Sequence, residues 1–278
     1  MKENSIKIKT PISYYGGKQN LVNVLLGMIP KHQIYCEPFF GGGALFFKKQ
    51  PSYLEVINDI NDNLVNFYEQ CQTNFENLAA EIDSSLCSES QHRWARKVYE
   101  GGLRVTAVKK ALATWLVFNE SFMCSARNGW RWDNSTDNSH IGIVLQHQRK
   151  NFCPWIKHRL ARVQISCRDA LTVIRQRDTS CSFFYLDPPY PNCNQGHYAG
   201  YSIEDFEKLL QLLETIHGQF LLSCYDIPIL HDFATKNNWQ LKLVRQRKRC
   251  VNKYREEYKT EALLFNYKIT CPIQTSLF

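Results

Sequence analysis

No stretch of this chain approaches the roughly 18 consecutive apolar residues that cross a bilayer, and Met1-Lys2-Glu3-Asn4-Ser5 is not the apolar opening of a secretory signal. Membrane-spanning and secreted readings are set aside on those grounds. No internal repeat period exists, so solenoid, collagen and coiled-coil architectures are excluded. Cysteine is plentiful, at 11 residues, yet no Cys-x-x-Cys pair occurs. Cys193-x3-His197 and Cys153-x4-His158 stand alone and make no four-ligand zinc set, so no metal site is expected. The thiols read as reduced cytosolic side chains used as small apolar residues. Also missing are the phosphate loop ending in Gly-Lys-Ser/Thr and the six-residue dinucleotide fingerprint.

What is present suffices for a large packed domain, or a domain carrying an insert. The 278 residues are 44% hydrophobic and 13% aromatic, with a mean hydropathy of −0.38. A formal charge of +8 favours a polyanionic partner such as nucleic acid. Periodicity divides the chain into three stretches. In the first 60 residues, a helical face of Leu21, Val24, Leu25 and Met28 precedes a strand at Ile34–Glu37. A glycine turn at 41–43 follows, then a helix opening at Ala44–Phe47 and a strand from Tyr53 to Asn58. Residues 61–119 look helical throughout. A loop rich in Asn, Ser, Gly and Arg occupies 119–145, and a helix is expected over 146–161.

From Val163 onward, strands and helices alternate again. Strands are expected at Val163–Cys167, Phe183–Leu186 and Phe220–Cys224, with helices opening at Asp169 and Ser202. Ser202 caps its helix with Asp205 at the third helical position. Leu241–Val244 and Ala262–Tyr267 read as a closing antiparallel pair. Such alternation predicts a mostly parallel sheet covered on both faces, with the helical middle as an insert.

The chemistry concentrates in a few turns. Asp187-Pro188-Pro189-Tyr190 directly follows an apolar strand, and open α/β sheets bind ligands beyond the carboxyl ends of strands. The prolines stiffen the turn and leave carbonyls as acceptors. A carboxylate, a carbonyl and an aromatic face in one place suit a planar ring bearing an amino group. In Glu37-Pro38-Phe39-Phe40-Gly41-Gly42-Gly43, glycines let a ligand approach the backbone. Asp59, ending the next strand, can accept hydrogen bonds from two ribose hydroxyls.

The ordered set of Tyr14-Tyr15-Gly16-Gly17-Lys18, Phe39 to Gly43, Asn58-Asp59-Ile60-Asn61 and the Asp187 turn resembles the Dam-like (D12 class) N6-adenine-specific DNA methyltransferases. The resemblance implies a Rossmann-like, S-adenosylmethionine-dependent methyltransferase sheet, with a catalytic domain of residues 1–60 and 163–278. Residues 61–162 would form an inserted, mainly helical target-recognition domain. By the same resemblance, Tyr14, Lys18, Phe39, Gly41, Gly43, Asp59, Asp169 and Asp187 contact the cofactor, and Asp187, Pro188 and Tyr190 are catalytic. Tyr14 stands where tryptophan is common, and the aromatic ring is kept. A methyl group would pass from S-adenosylmethionine, leaving S-adenosylhomocysteine, to the exocyclic amine of an adenine flipped from the duplex, with no metal. Amino-methylation of cytosine N4 or of RNA, and a non-catalytic nucleic-acid-binding relative, are the competing readings.

Two segments are candidates for holding double-stranded DNA. Between Arg245 and Lys259, seven basic residues face two acidic ones; among them Arg247, Lys248, Arg249, Lys253 and Arg255 would meet phosphates. In the loop Asn119–Asn138, Arg127, Asn128 and Arg131 can read base edges, and Trp130 and Trp132 can fill the gap left by a flipped base. The order of residues in this loop departs from the family's GATC-reading pattern, so the target sequence stays open. The resemblance further implies a monomer in the cytoplasm of a prokaryotic cell or phage-infected host. The same resemblance implies a restriction-modification setting, in which the partner would be a cognate restriction endonuclease.

Overall fold

A computed structural model of the chain describes residues 9–14, 16–134, 136–137, 140–191, 201–247 and 258–269. In chain order the first elements are α1 (Val22–Leu26), β1 (Ile34–Glu37), β2 (Leu54–Asn58), α2 (Asp62–Thr73), α3 (Phe75–Asp83), α4 (Glu89–Tyr99) and α5 (Ala107–Glu120). Next come a 3-10 turn at Phe122–Cys124, α6 (Ile141–Asn151), α7 (Trp155–Leu160), β3 (Val163–Ser166), α8 (Ala170–Arg177) and β4 (Ser182–Leu186). The last are α9 (Ile203–Leu213), β5 (Gln219–Tyr225), α10 (Pro228–Asn237), β6 (Gln240–Arg247) and β7 (Tyr258–Phe265). The chain divides into two compact units. One comprises Met1–Gln19, Gly41–Pro51 and Asp59–Cys167; the other comprises Asn20–Phe40, Ser52–Asn58 and Arg168–Phe278.

Six strands of the second unit form a mixed sheet in the order β2-β1-β4-β5-β7-β6. Strands β2, β1, β4 and β5 run parallel, with Ile34 beside Leu54 and Ser182, and Phe184 beside Phe220. Their sequences are near-continuous apolar runs because both faces are covered. Cys36, Phe184, Leu186, Leu222 and Cys224 enter a core with Val173, Ile174, Phe206, Leu209, Leu210 and Leu230. The alternate residues Tyr35 and Phe183 point the other way and pack with His32. Helix α9 has the expected capping box, Ser202 Oγ accepting from Asp205 N and Asp205 returning to the Ser202 backbone. Strand β7 inserts antiparallel between β5 and β6, which is the expected closing pair.

The first unit is built around α5, buried from Ala111 to Glu120 on every side. Phe75 stacks on Phe152 with centroids 5.0 Å apart. The Arg159 guanidinium lies 3.5 Å over the Phe46 ring and donates to Phe46 O at 3.0 Å.

Two expectations differ from what forms, and one helix is additional. Ala44–Phe47 makes consecutive turns, not a helix. Leu45, Phe46 and Phe47 are all buried, and the Phe46 carbonyl, which a continuing helix would pair within itself, is taken by Arg159. The helix expected over 146–161 is two helices, parted because Pro154 has no N–H to extend α6 and instead starts α7. Helix α10, with Pro228 at its first position, was not expected at all.

Candidate active site

In the second unit, β1 has β2 on one side and β4 on the other, so the strand order reverses there. Ligands of open α/β sheets bind beyond the carboxyl ends of strands at such a point. Those ends carry Pro38-Phe39 after β1 and Asp187-Pro188-Pro189-Tyr190 after β4.

Asp187 is half-buried, and Pro188 is buried. Ser223 Oγ, fully buried in the middle of β5, donates to Asp187 Oδ1 at 3.1 Å. The Tyr185 hydroxyl lies 3.3 Å from Ser223 Oγ. Since the carboxylate takes the Ser223 proton, Tyr185 donates to Ser223 and completes a chain of donors. Burial, then the Asp187 charge, push the Tyr185 pKa well up, so this hydroxyl keeps its proton. Sequence reasoning missed Ser223; its signal was a lone hydroxyl inside an apolar strand.

The Tyr190 ring is buried. It meets Tyr225 edge-on at 4.5 Å, and its hydroxyl bonds the buried carboxylate of Glu261. Glu261 stands directly across from Tyr225 in the β5–β7 register, with Lys259 Nζ 3.5 Å from its Oε2. Burial first, then Asp187 and Glu261, raise the Tyr190 pKa well above its usual value.

Phe39 is partly exposed and meets Tyr201 edge-on, with centroids 6.3 Å apart. Asp169 caps α8, its Oδ2 accepting from Thr172 N at 2.8 Å and Thr172 Oγ1 at 2.9 Å. The Asn58 amide donates to Pro38 O and Arg168 O and accepts from Arg168 N, each at 2.9 Å.

The first unit gathers Tyr14, Gly41, Gly42 and Asp59. Asp59 is buried; its Oδ2 accepts from Gly41 N at 2.8 Å and its Oδ1 from Asn61 N at 2.9 Å. Burial raises its pKa, and the backbone N–H groups oppose that rise. Gly41 holds φ +49°, and a Cβ there would come 2.9 Å from the Tyr14 ring; one on Gly42 would come 2.7 Å from Tyr14 Cβ. Only glycines admit the tyrosine at this turn. Gly43 also has positive φ. Lys18 is buried, its Nζ 3.4 Å from Gly16 O.

Of the residues proposed for DNA, Arg127 is exposed, Asn128 Nδ2 donates to Phe122 O at 2.9 Å, and Arg131 lies 3.7 Å from Asp133. An isolated antiparallel bridge joins Ser121 to Trp130. Phe122, Met123 and Trp132 are exposed, while Met123 and Cys124 hold consecutive positive φ angles. Arg247 ends β6, and its side chain is outside the described residues, as are Lys248, Arg249, Lys253, Arg255 and Tyr15.

Among the described residues, no group of three or more His, Cys, Asp or Glu could hold a metal ion, and no helix is long and apolar enough to cross a membrane.

A family model described as D12 class N6 adenine-specific DNA methyltransferase matches residues 14–246. The type II methyltransferase M1.LlaDCHI of Lactococcus lactis subsp. cremoris is 25% identical over 228 residues, covering 74% of each chain. The type II methyltransferase M.MjaIII of Methanocaldococcus jannaschii is 23% identical over 294 residues, covering 94% of this chain and all of its own. A DNA N-6-adenine-methyltransferase of Escherichia phage P1 is 26% identical over 220 residues, covering 73% of this chain and 27% of its own.

Proposed function

The chain belongs to the D12 class N6 adenine-specific DNA methyltransferase family, and from that premise we propose that Asp187 and the Pro188 carbonyl hold the exocyclic amine of an adenine extruded from double-stranded DNA. The observation that carries this assignment is the Asp187 turn itself. It follows β4 where the strand order reverses, with its carboxylate braced by buried Ser223.

S-adenosylmethionine, when bound, supplies a methyl group on a sulfonium, an electrophile open to direct displacement. The residues suit such a cofactor. Phe39 offers an aromatic surface beside a buried hydroxyl of Tyr201 that has no partner. Asp59 is a buried acceptor with lone pairs beyond those used by Gly41 and Asn61. We assign cofactor contact to Tyr14, Lys18, Phe39, Gly41, Gly43, Asp59, Asp169 and Asp187.

An adenine amine is a poor nucleophile because its lone pair is delocalised into the ring. Two acceptors, Asp187 and the Pro188 carbonyl, take its N–H groups, favour a pyramidal nitrogen and aim the lone pair. Positioning supplies much of the acceleration, and the carboxylate stabilises the positive charge that develops on nitrogen. Tyr190, fixed by Tyr225 and Glu261, forms a rigid side of this turn. Extruding the base costs a few kcal/mol. Phosphate contact falls to the basic segment between β6 and β7, base reading to the loop after α5, and residues 61–162 make up the target-recognition insert of a cytoplasmic monomer.

The test is purified Asp187→Ala protein with duplex DNA and cofactor, followed by nucleoside digestion. The parent should yield N6-methyladenine; the variant should bind cofactor and yield none. Methyl on cytosine N4 in the parent, or full activity in the variant, would refute the assignment.

A further inference from the structure

The Tyr201 hydroxyl is buried and has no hydrogen-bond partner. A phenol placed this way forfeits a hydrogen bond that water would supply to the unfolded chain, so it burdens the ligand-free fold. The ring meets Phe39 edge-on. Phe39 and Tyr201 pack with Leu171, from the first turn of α8, against the core beneath the sheet. Asp169, Asp205 and Cys224 lie close enough to act on the hydroxyl electrostatically; together with burial, the larger effect, they raise its pKa. The phenol is therefore a neutral group able both to donate and to accept. Neither the strand-and-turn motifs nor the helix pattern marks this tyrosine.

We propose that Tyr201 is a cofactor-binding residue, its hydroxyl completing its hydrogen bonding on the adenine ring of S-adenosylmethionine beside Phe39. This rests on the methyltransferase reading and adds a residue to it. Adenine suits the position because it presents both N–H donors and ring-nitrogen acceptors along its edge, whereas the methionine end offers charged groups that do not need a buried phenol.

The proposal predicts effects of opposite sign from one change. Tyr201→Phe removes only the hydroxyl and keeps the ring against Phe39. The ligand-free variant should melt at a higher temperature than the parent, because an unsatisfied buried group has gone. Its affinity for S-adenosylhomocysteine, measured by calorimetry, should fall about 3–10-fold, the size of one neutral hydrogen bond. Adenosine alone should lose affinity by a similar factor, since the contact is to its ring. A hydroxyl with only a structural role would lower the melting temperature and leave affinity alone. The inference is overturned if Tyr201→Phe binds S-adenosylhomocysteine as the parent does, or if ligand-free Tyr201→Phe melts at or below the parent temperature. A parent that binds no S-adenosylhomocysteine overturns the methyltransferase reading, and this inference with it.

Discussion

Replacing Ser223 by alanine removes the donor that fixes Asp187 and the acceptor that serves Tyr185, without opening the sheet. Two energies follow. The bond to the carboxylate is charge-assisted, in a class worth about 1.5–3 kcal/mol. If the alignment of Asp187 depends on it, about half of that, near 1.4 kcal/mol, is a tenfold fall in kcat. Separately, Tyr185 is 3% exposed and loses the acceptor for its hydroxyl. Stranding that group costs about 1–3 kcal/mol of stability, which lowers Tm by roughly 2–4 °C per kcal/mol for a domain of this size. The two losses are separable. Adding Tyr185→Phe to Ser223→Ala removes the stranded hydroxyl, so Tm should recover while kcat stays low. Single-turnover methylation of a duplex substrate, with calorimetric melting of each variant, measures both. An unchanged kcat in a folded Ser223→Ala protein, or a loss confined to KM, would sink the argument that Ser223 aims the carboxylate.

Other outcomes follow from particular contacts. Gly42→Ala places a methyl 2.7 Å from Tyr14 Cβ and should cost about 1–3 kcal/mol of stability; in a Tyr14→Gly background, which lacks that Cβ, the same change should cost much less, as melting will show. The Glu120 carboxyl, buried without a hydrogen bond, has its pKa pushed up to about 8 by burial, with Arg149 pulling down and Cys87 nearby. The native state then keeps a proton that the unfolded chain has released, so stability falls as pH rises from the ordinary carboxylate range to about 8, by at most ~1.4 kcal/mol per unit. Glu120→Gln should flatten that slope in melting curves taken across this range; an unaltered slope would contradict it.

The legible parts of the chain were those governed by local chemistry. Ile34–Glu37 has the limits the apolar run implied, and Ser202 with Asp205 forms its box because capping needs only four neighbouring residues. The position of Asp187 after β4 followed from strand and turn alone. What stayed hidden depends on distant partners. No local pattern says that the Phe46 carbonyl belongs to Arg159, and so no helix formed there. Helix α10 carried a signal that was overlooked, since Pro228 precedes Leu230, Phe233 and Ala234 at helical spacing. The burial of Tyr190 against Glu261 joins residues 71 positions apart, beyond any window of sequence.

Asn58 is the last residue of β2, where the chain departs for Asp59–Cys167, and Arg168 is where it returns. One side-chain amide ties those two points to each other and to Pro38. The hundred-odd residues between them are thus a loop whose mouth is already sewn shut by the sheet's own side. Such a seam fixes the distance between the two ends of the segment, so a change in its length need not shift the register of β1, β2 and β4.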